Sequence, residues 1–277
     1  MESIRIYLGG FSVFIKIERG AVMKMKDKVV MITGAAGGIG KYLSIRLAEE
    51  GALLALCDIN ETSLKEVRVL CENKGAQVFT KVVAVENEDE NKAFVNEVVD
   101  KFHKIDALIN LAIAIDTPHS FLDHTIATLD KSYRTGLVST WHMMRLCYPH
   151  LKETNGNIVN FGSAAGYLGL EGYAAYAAIK EGIRGLSRVV AREWGKDGIT
   201  VNVVNPGAIT DNIKNYMSTL PEEQRDPGLL GFKETAVGHF GDVYKDVAPV
   251  IIFLASSESK YLTGQTFNVD GGVVMNA

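Results

Sequence analysis

The amino-acid sequence predicts a single-domain, doubly wound α/β fold, in which one parallel sheet of about seven strands carries helices on both faces. Short apolar runs alternate with segments whose apolar residues recur at helical spacing, from about residue 28 to residue 269. Parallel strands need a crossover between them, usually a helix, so this alternation is typical of a parallel sheet. A glycine-rich turn follows the first apolar run, and no repeat or linker divides the sequence. We therefore expect one domain over residues 26–277.

The strands are predicted from short apolar runs bounded by turn residues, beginning with KVVMIT, which ends in the glycine turn. These runs lie at 28–33, 52–57, 77–83, 107–111, 157–161, 200–204 and 266–269. In the first helix Ile39, Leu43 and Leu47 recur on one face. Helices with comparable spacing are predicted at 39–50, 61–73, 87–102, 125–151, 173–194 and 243–255. The long irregular stretch at about 210–241 is expected to form a substrate loop, since long loops in compact domains are usually functional.

The composition is that of an ordinary globular protein, with 47% hydrophobic and 22% charged residues among 277. The 29 Lys and Arg residues against 33 Asp and Glu give a net charge of −4, which offers no electrostatic reason to bind nucleic acid. Cys57, Cys71 and Cys147 are too few and too widely spaced for a disulfide framework or a thiolate zinc site. We expect a cytoplasmic protein that has no metal, nucleic-acid partner or membrane partner.

Residues 1–25 form an extension outside this pattern. Residues 7–17 are apolar, but they are far fewer than the roughly 20 residues of a membrane-spanning helix. Three interpretations remain open: an unstructured extension, a strand-like arm, or residues absent from a native protein whose translation starts at Met23 or Met25. We expect the organised fold to begin at Lys26.

The glycine-rich turn, TGAAGGIG, occupies residues 33–40 between the first predicted strand and helix. Glycines there allow a pyrophosphate to approach the helix amino terminus, whose free N–H groups favour anions. Asp58 ends the second strand, where a carboxylate can bind a ribose hydroxyl. A P-loop is excluded because Ala35 stands where its first glycine is required and Tyr42 replaces the magnesium-binding Ser or Thr.

A second group of residues carries acid–base chemistry. Tyr176 and Lys180 are four residues apart and share one helix face, and Ser163 follows the strand predicted at 157–161. A nearby ammonium stabilises phenolate, so we expect Lys180 to lower the pKa of Tyr176 from about 10 toward neutral pH.

Together these motifs resemble the short-chain dehydrogenase/reductase family over about residues 28–272. The T-G-x-x-x-G-x-G motif of that family matches residues 33–40, its serine and Y-x-x-x-K match Ser163, Tyr176 and Lys180, and its Pro-Gly matches 206–207. The resemblance implies a Rossmann-type fold and hydride transfer between NAD(H) and an alcohol or ketone. It makes Tyr176 the general acid/base, while Lys180 binds the nicotinamide ribose and Ser163 orients the substrate oxygen.

The same resemblance implies a set of cofactor-binding residues, with NAD as the cofactor. They are Gly34, Gly38, Ile39, Gly40, Asp58, Asn110, Ala112, Tyr176, Lys180, Pro206 and Gly207. Asp58 would repel a 2′-phosphate, and Gly37 stands where NADP-preferring relatives often carry a basic residue. The helix around Trp141 forms subunit contacts in families of this kind, so we expect a homo-oligomer, either a tetramer or a dimer.

Four positions depart from the family pattern. Ile113 replaces a glycine close to the cofactor, and Ala84 replaces an acidic residue that reaches the adenine. Thr210 is displaced relative to the threonine that commonly follows Pro-Gly. Gly136 stands in place of a mid-helix asparagine whose carbonyl helps to hold a water near the lysine. Since glycine keeps that carbonyl, we expect an active enzyme and a neutral or mildly favourable effect of Gly136→Asn.

Two alternatives to an oxidoreductase stay open at this point: a nucleotide-binding pseudoenzyme and a non-redox relative such as a lyase or epimerase. The apolar residues of 210–241, among them Ile213, Leu229, Leu230 and Phe232, favour a hydrophobic or cyclic alcohol or ketone over a sugar.

Overall fold

The computed structural model describes residues 2–8, 11–17, 23–115, 118–222 and 235–275. Within them, seven strands form one parallel sheet in the order β5-β4-β3-β6-β7-β8-β9. These strands are β3 (Val29–Thr33), β4 (Leu53–Asp58), β5 (Val78–Val82), β6 (Ala107–Asn110), β7 (Asn157–Phe161), β8 (Thr200–Pro206) and β9 (Thr266–Val269). β1 (Glu2–Leu8) and β2 (Phe11–Ile17) pair with each other as a separate antiparallel hairpin. The predicted doubly wound α/β fold is confirmed.

The helices lie where the apolar spacing predicts them, with two additions. Their bounds are α1 (Gly38–Glu49), α2 (Glu61–Glu72), α3 (Glu88–Phe102), α4 (Ile126–Ser132), α5 (Ser139–Thr154), α6 (Ala164–Leu168), α7 (Ala174–Trp194), α8 (Asp211–Thr219) and α9 (Ala248–Ala255). A π-helical turn, Tyr133–Val138, joins α4 to α5, and a second one, Val243–Val247, precedes α9. The sequence did not predict α6 or α8. The expected loop residues Leu229, Leu230 and Phe232 lie outside the described residues.

The sheet separates two apolar cores because alternate residues of each strand point to opposite faces. On one face, Val30 and Ile32 of β3 pack in a cluster that includes buried residues of α1, α2 and α9. On the other face, Val29 and Met31 pack in a cluster that includes buried residues of α3, α5 and α7. Both faces are thus covered, and this explains why the central strand β3 is buried along its whole length rather than on alternate residues.

The first residues before β3 belong to the fold. Met25 is completely buried with Leu47 and Ala52, and its amide donates to the carbonyl of Glu50 over 3.1 Å. The amide of Lys24 donates to the Glu50 carboxylate over 3.1 Å. The expectation that organised structure begins at Lys26 is therefore wrong, because the Met25 side chain fills part of the core.

A buried carboxylate fixes the amino end of the sheet. Asp106 accepts hydrogen bonds from the Val29 amide and the Lys28 ammonium, each over 2.9 Å, and Lys104 lies 2.9 Å from its second oxygen. Burial alone would raise the pKa of this carboxyl, but the three donors outweigh burial and hold the pKa below its ordinary value. This network lies at the edge opposite to the carboxyl ends of the strands.

The strand order creates a crevice at the carboxyl ends of the strands. The chain runs from β3 to β4 and β5 on one side of the sheet, and then returns so that β6 pairs with β3 on the other side. Open α/β sheets bind ligands at such a reversal, outside the carboxyl ends of the strands. Within the described ranges, no helix is long and apolar enough to cross a membrane.

Candidate active site

In the turn after β3, backbone atoms pack so closely on two of the glycines that a side chain at either position would clash. Gly34 has a φ of +70°, and a Cβ placed on it would lie 2.8 Å from the amide nitrogen of Ala112. A Cβ on Gly40 would lie 2.2 Å from the carbonyl oxygen of Gly34. α1 then begins at Gly38 without a side-chain cap. Its first amides are left free for an anion, which the helix dipole also favours.

Asp58 lies beside this turn at the end of β4. One carboxylate oxygen accepts from the Ala36 amide over 2.9 Å, and the other accepts from the Asn60 amide over 3.0 Å. These two bonds hold the carboxylate at the wall of the crevice. Asp58 and the glycine turn therefore lie side by side, and the contact of Asp58 with a ribose stays a prediction.

The side chains of Ser163, Tyr176 and Lys180 meet at the next strand end along the crevice. Tyr176 and Lys180 project from α7, and the Lys180 nitrogen lies 5.4 Å from the centre of the Tyr176 ring. The same nitrogen donates to the carbonyl of Phe161 over 3.0 Å. Ser163 hydrogen-bonds with the Tyr176 side chain and caps α6 by accepting from the Ala165 amide over 3.1 Å. The hydroxyl, phenol and ammonium therefore form one constellation.

One cavity of about 680 Å³ contains both groups of residues. The glycine turn and Asp58 lie on its walls, as do Ser163, Tyr176 and Lys180. Its remaining lining is largely apolar and includes Ile113, Ile115, Pro118, Leu170, Tyr173 and Ile213. The glycine turn and the Ser163–Tyr176–Lys180 group thus share one crevice.

The family model described as Enoyl-(Acyl carrier protein) reductase matches residues 34–274. The matched segment contains the glycine turn from Gly34 onward and all three residues of the acid–base constellation. The chain belongs to the short-chain dehydrogenase/reductase family. It is an oxidoreductase that transfers hydride between a nicotinamide cofactor and an alcohol or ketone, as members of this family do.

Among related short-chain dehydrogenase/reductases, a 12alpha-hydroxysteroid dehydrogenase of a Clostridium species is 41% identical over 253 residues, covering 89% of this chain and 96% of that protein. A 3-oxoacyl-(acyl-carrier-protein) reductase of Thermotoga maritima is 35% identical, covering 91% and 100% of the two chains. The crystal structure of levodione reductase superposes with a TM-score of 0.83 at 30% identity, covering 89% and 97%. NAD⁺-bound xylitol dehydrogenase gives a TM-score of 0.81 at 27% identity, covering 90% and 100%.

Burial dominates the proton affinities of the Tyr–Lys pair. It raises the pKa of the Tyr176 phenol to about 12, and the Ser163 hydrogen bond only partly offsets this rise. It also lowers the pKa of the Lys180 ammonium to about 7. The expectation that Lys180 brings the phenol pKa toward neutral is therefore wrong for this structure, because the ammonium is itself desolvated. Burial thus disfavours the charged form of both groups.

Gly136 lies within the π-helical turn Tyr133–Val138, at the helix distortion that the family resemblance implies. Its carbonyl accepts from the Ser139 hydroxyl over 3.1 Å. A Cβ at this position would lie 2.8 Å from Cγ2 of Ile179 and 2.9 Å from Cδ1 of Ile113. The expectation that Gly136→Asn is neutral or favourable does not fit this space, because Ile113 and Ile179 already fill it.

Most of the predicted cofactor residues line the cavity, but two lie behind its wall. Gly34, Gly38, Ile39, Gly40, Asp58, Ala112, Tyr176, Lys180 and Pro206 line it. Asn110 is buried and donates to the Asn160 side chain over 2.8 Å. Gly207 packs on Asp270, whose Cα would lie 2.6 Å from a Cβ at 207. These two residues shape the wall through the packing of β6 and β8.

The sequence did not predict some of the residues that shape the site, although it placed Ser163, Tyr176 and Lys180 correctly on the cavity. The Thr33 hydroxyl accepts from the amides of Leu111 and Ala112 over 3.2 and 3.3 Å, and so fixes the loop after β6 against the glycine turn. The sequence motif begins with Thr33 but does not indicate this role. The Ala84 amide donates to the Glu90 carboxylate over 2.8 Å, so a carboxylate from α3 reaches this position instead of one from β5. Thr210 lines the cavity and caps α8.

Proposed function

We propose that the protein is an NAD(H)-preferring dehydrogenase/reductase of apolar cyclic alcohols and ketones, with Tyr176 as its general acid/base. The observation that carries this proposal is the placement of Ser163, Tyr176 and Lys180 on the same cavity as the glycine turn and Asp58. A hydride donor bound at the turn and a carbonyl held by the hydroxyl groups would then share one crevice.

The residues of the turn fit a dinucleotide. Backbone packs closely at Gly34 and Gly40, and α1 begins without a side-chain cap, so its first amides would be available to a pyrophosphate. Asp58 would accept from the hydroxyls of the adenosine ribose, and Lys180 would donate to those of the nicotinamide ribose. When bound, the nicotinamide ring supplies or accepts the hydride.

The proton step falls to the chain itself. In ketone reduction the Tyr176 hydroxyl donates its proton to the substrate oxygen, while the Ser163 hydroxyl donates a hydrogen bond that orients this oxygen. A phenol whose pKa is about 12 keeps its proton at neutral pH, so it is in the correct state to act as an acid. In alcohol oxidation the same phenol must first lose its proton, which higher pH favours.

The preference for NAD(H) rests on charge. Among the described residues that line the cavity, Asp58 is the carboxylate beside the glycine turn, and Lys180 is the one cation. Lys180 belongs to the acid–base constellation, so no described cation on the lining compensates a 2′-phosphate near Asp58. The carboxylate favours a free ribose diol instead.

The substrate class rests on the apolar part of the lining. Ile115, Leu170, Tyr173 and Ile213 give the cavity an apolar side next to Tyr176, which suits a ring system better than a polyol. The 12alpha-hydroxysteroid dehydrogenase at 41% identity is named for a ring alcohol of this kind. A hydroxysteroid or ketosteroid is therefore the first substrate to test.

We also propose a cytoplasmic homo-oligomer. Trp141 on α5 and Val189 on α7 are exposed at 48% and 54%, although both are large apolar side chains. A second copy covering this surface would bury them. The three cysteines are buried and unpaired, which suits a reducing compartment. Light scattering on the purified protein measures the oligomeric state directly, and a monomer at micromolar concentration would contradict this part of the proposal.

The catalytic proposal is tested by absorbance at 340 nm with NADH, using ketosteroids, cyclohexanone and, in the reverse direction with NAD⁺, xylitol. We expect turnover of the ring ketones and a decrease in rate of about 10²- to 10⁴-fold in Tyr176→Phe, with NADH binding retained. Tyr261→Phe is the matched control, since it removes an exposed phenol hydroxyl that does not line the cavity. Near-native rates in Tyr176→Phe would show that another group supplies the proton.

A further inference from the structure

The side chains of Tyr42 and Asp211 join the cofactor-binding helix to the helix that follows β8. The Tyr42 hydroxyl lies 3.1 Å from each carboxylate oxygen of Asp211, so it donates one shared hydrogen bond to both. Tyr42 stands on α1, two residues after Gly40. Asp211 is the first residue of α8. The two residues are 169 positions apart in sequence, so this bond is a tertiary contact and not part of a local turn.

Each end of this hydrogen bond lies close in sequence to residues that line the cavity. On α1, Gly38 and Gly40 line the side that would hold the pyrophosphate. At the start of α8, Thr210 and Ile213 also line the cavity, and the Thr210 hydroxyl caps the helix by accepting from the Ile213 amide over 3.4 Å. A shift of the first turn of α8 would therefore move Thr210 and Ile213 relative to the glycine turn.

The surroundings of Tyr42 favour the neutral phenol, which can donate. Burial and the adjacent Asp211 raise the pKa of this phenol, and the charge of Asp242 adds to the effect. Lys214 lies 3.8 Å from one Asp211 oxygen and is exposed. A hydrogen bond from a neutral donor to a carboxylate is among the stronger ones in proteins, so this contact can hold a short helix that begins at the cavity.

We propose that Tyr42 is a positioning residue, which through Asp211 holds α8 against α1 and so sets the distance between the cofactor wall and the apolar substrate wall. This inference rests on the proposed function for its effect on catalysis. Its structural part, the restraint on α8, is independent of any substrate. A purely local role for Asp211, as an acidic residue at a helix amino end, would stabilise α8 without needing Tyr42.

The chain supplies a matched control for the test. Tyr244 donates from its hydroxyl to the Glu49 carboxylate, so a second tyrosine–carboxylate pair ties α1 to another element. That pair lies at the far end of α1, and neither Tyr244 nor Glu49 lines the cavity. Tyr42→Phe and Tyr244→Phe remove the same atom from the same kind of bond, but only the first bond reaches α8.

The experiment compares amide hydrogen exchange of residues 211–219 in the NADH-saturated wild type, Tyr42→Phe and Tyr244→Phe, together with steady-state kinetics. We expect exchange in this segment, and KM for the best ketone of the 340 nm screen, to rise about three- to tenfold in Tyr42→Phe alone. The kcat of this variant should stay within about twofold, because the acid–base constellation is untouched. Asp211→Asn, which keeps one acceptor oxygen, should show a smaller effect.

The outcomes separate this inference from the proposed function. Equal exchange in Tyr42→Phe and the wild type, or an equal rise in Tyr244→Phe, would overturn the restraint. Faster exchange with unchanged KM would overturn the positioning role. If no ketone is turned over, the proposed function fails, while the exchange data still decide whether Tyr42 holds α8.

Discussion

The side chain of Ile113 fills the space beside Gly136: its Cδ1 atom lies 2.9 Å from the point where a Cβ at residue 136 would stand. Both residues depart from the pattern of the family, one by gaining a side chain and the other by losing one. Their contact shows that the two departures compensate each other in volume. Ile179, the neighbour of Lys180, closes the same space from α7. The paired departures at residues 113 and 136 therefore lie next to the acid–base constellation.

This compensation predicts that Gly136→Asn alone lowers the stability of the folded protein. The loss should be smaller when Ile113 is replaced by a shorter side chain. Overpacking costs about 1–3 kcal/mol, which for a chain of this length lowers Tm by roughly 3–10 °C. The double variant Ile113→Ala/Gly136→Asn should recover part of this loss, with a coupling free energy of about 1 kcal/mol. Urea denaturation of the wild type, both single variants and the double variant measures it. Additive effects would show that the two sites are independent.

The sequence predicted the sheet and the central residues of the site because both depend on local pattern. An apolar run followed by a glycine turn specifies β3 and α1, and the spacing of Tyr176 and Lys180 places them on one helix face. The contact between Ile113 and Gly136 could not be predicted, since it joins the loop after β6 to the π-helical turn before α5, and these meet only in the folded chain. The same holds for Tyr42 and Asp211.

The pKa of Tyr176 differs from the value expected from the sequence, for a physical reason of the same kind. Proximity of Lys180 could be deduced from an i, i+4 spacing, whereas burial of both groups depends on elements far away in sequence. Burial raises the pKa of the phenol to about 12 and lowers that of the ammonium to about 7. Desolvation thus outweighs the attraction that the spacing alone suggested.

Asp58 should set the choice between cofactors. We expect a kcat/KM at least tenfold higher with NADH than with NADPH, a difference of about 1.4 kcal/mol. Asp58→Asn keeps the shape of the side chain but removes its charge, so this preference should fall toward unity. Glu61→Gln is the control, because Glu61 is an exposed carboxylate three residues away that pairs with Lys65 and does not line the cavity. Equal or better kcat/KM of the wild type with NADPH would contradict the charge argument.

Burial of the charged Lys180 side chain should destabilise the folded protein at low pH. The pKa of this side chain is about 7 in the folded chain and 10.5 as the ordinary value, so below pH 7 both states hold the proton and the folded state bears the full cost of burying it. Between about pH 7 and 10.5 the unfolded state holds a proton that the folded state lacks, and stability therefore rises with pH in this window.

It follows that Lys180→Met stabilises the cofactor-free protein at pH 6, by about 1 kcal/mol or more, and that its advantage over the wild type shrinks by pH 9. Urea denaturation of both proteins at the two pH values measures this change. Lys196→Met replaces an exposed lysine and should show no such dependence on pH. A Lys180→Met variant that is equally destabilised at pH 6 and pH 9 would mean that the hydrogen bond to Phe161 outweighs the burial of charge.

Met25 should mark the amino-terminal limit of the stable domain. Its side chain is completely buried in the core cluster beside α1, whereas Met23 is 52% exposed. Met25→Ala should cost about 2–5 kcal/mol and lower Tm by roughly 5–15 °C, and Met23→Ala should cost much less. Removal of residues 1–22 keeps Met25 and the Lys24–Glu50 hydrogen bond, so Tm and NADH binding should match those of the full chain. If this removal lowers Tm as much as Met25→Ala does, residues 1–22 pack on the domain or on a second copy of it.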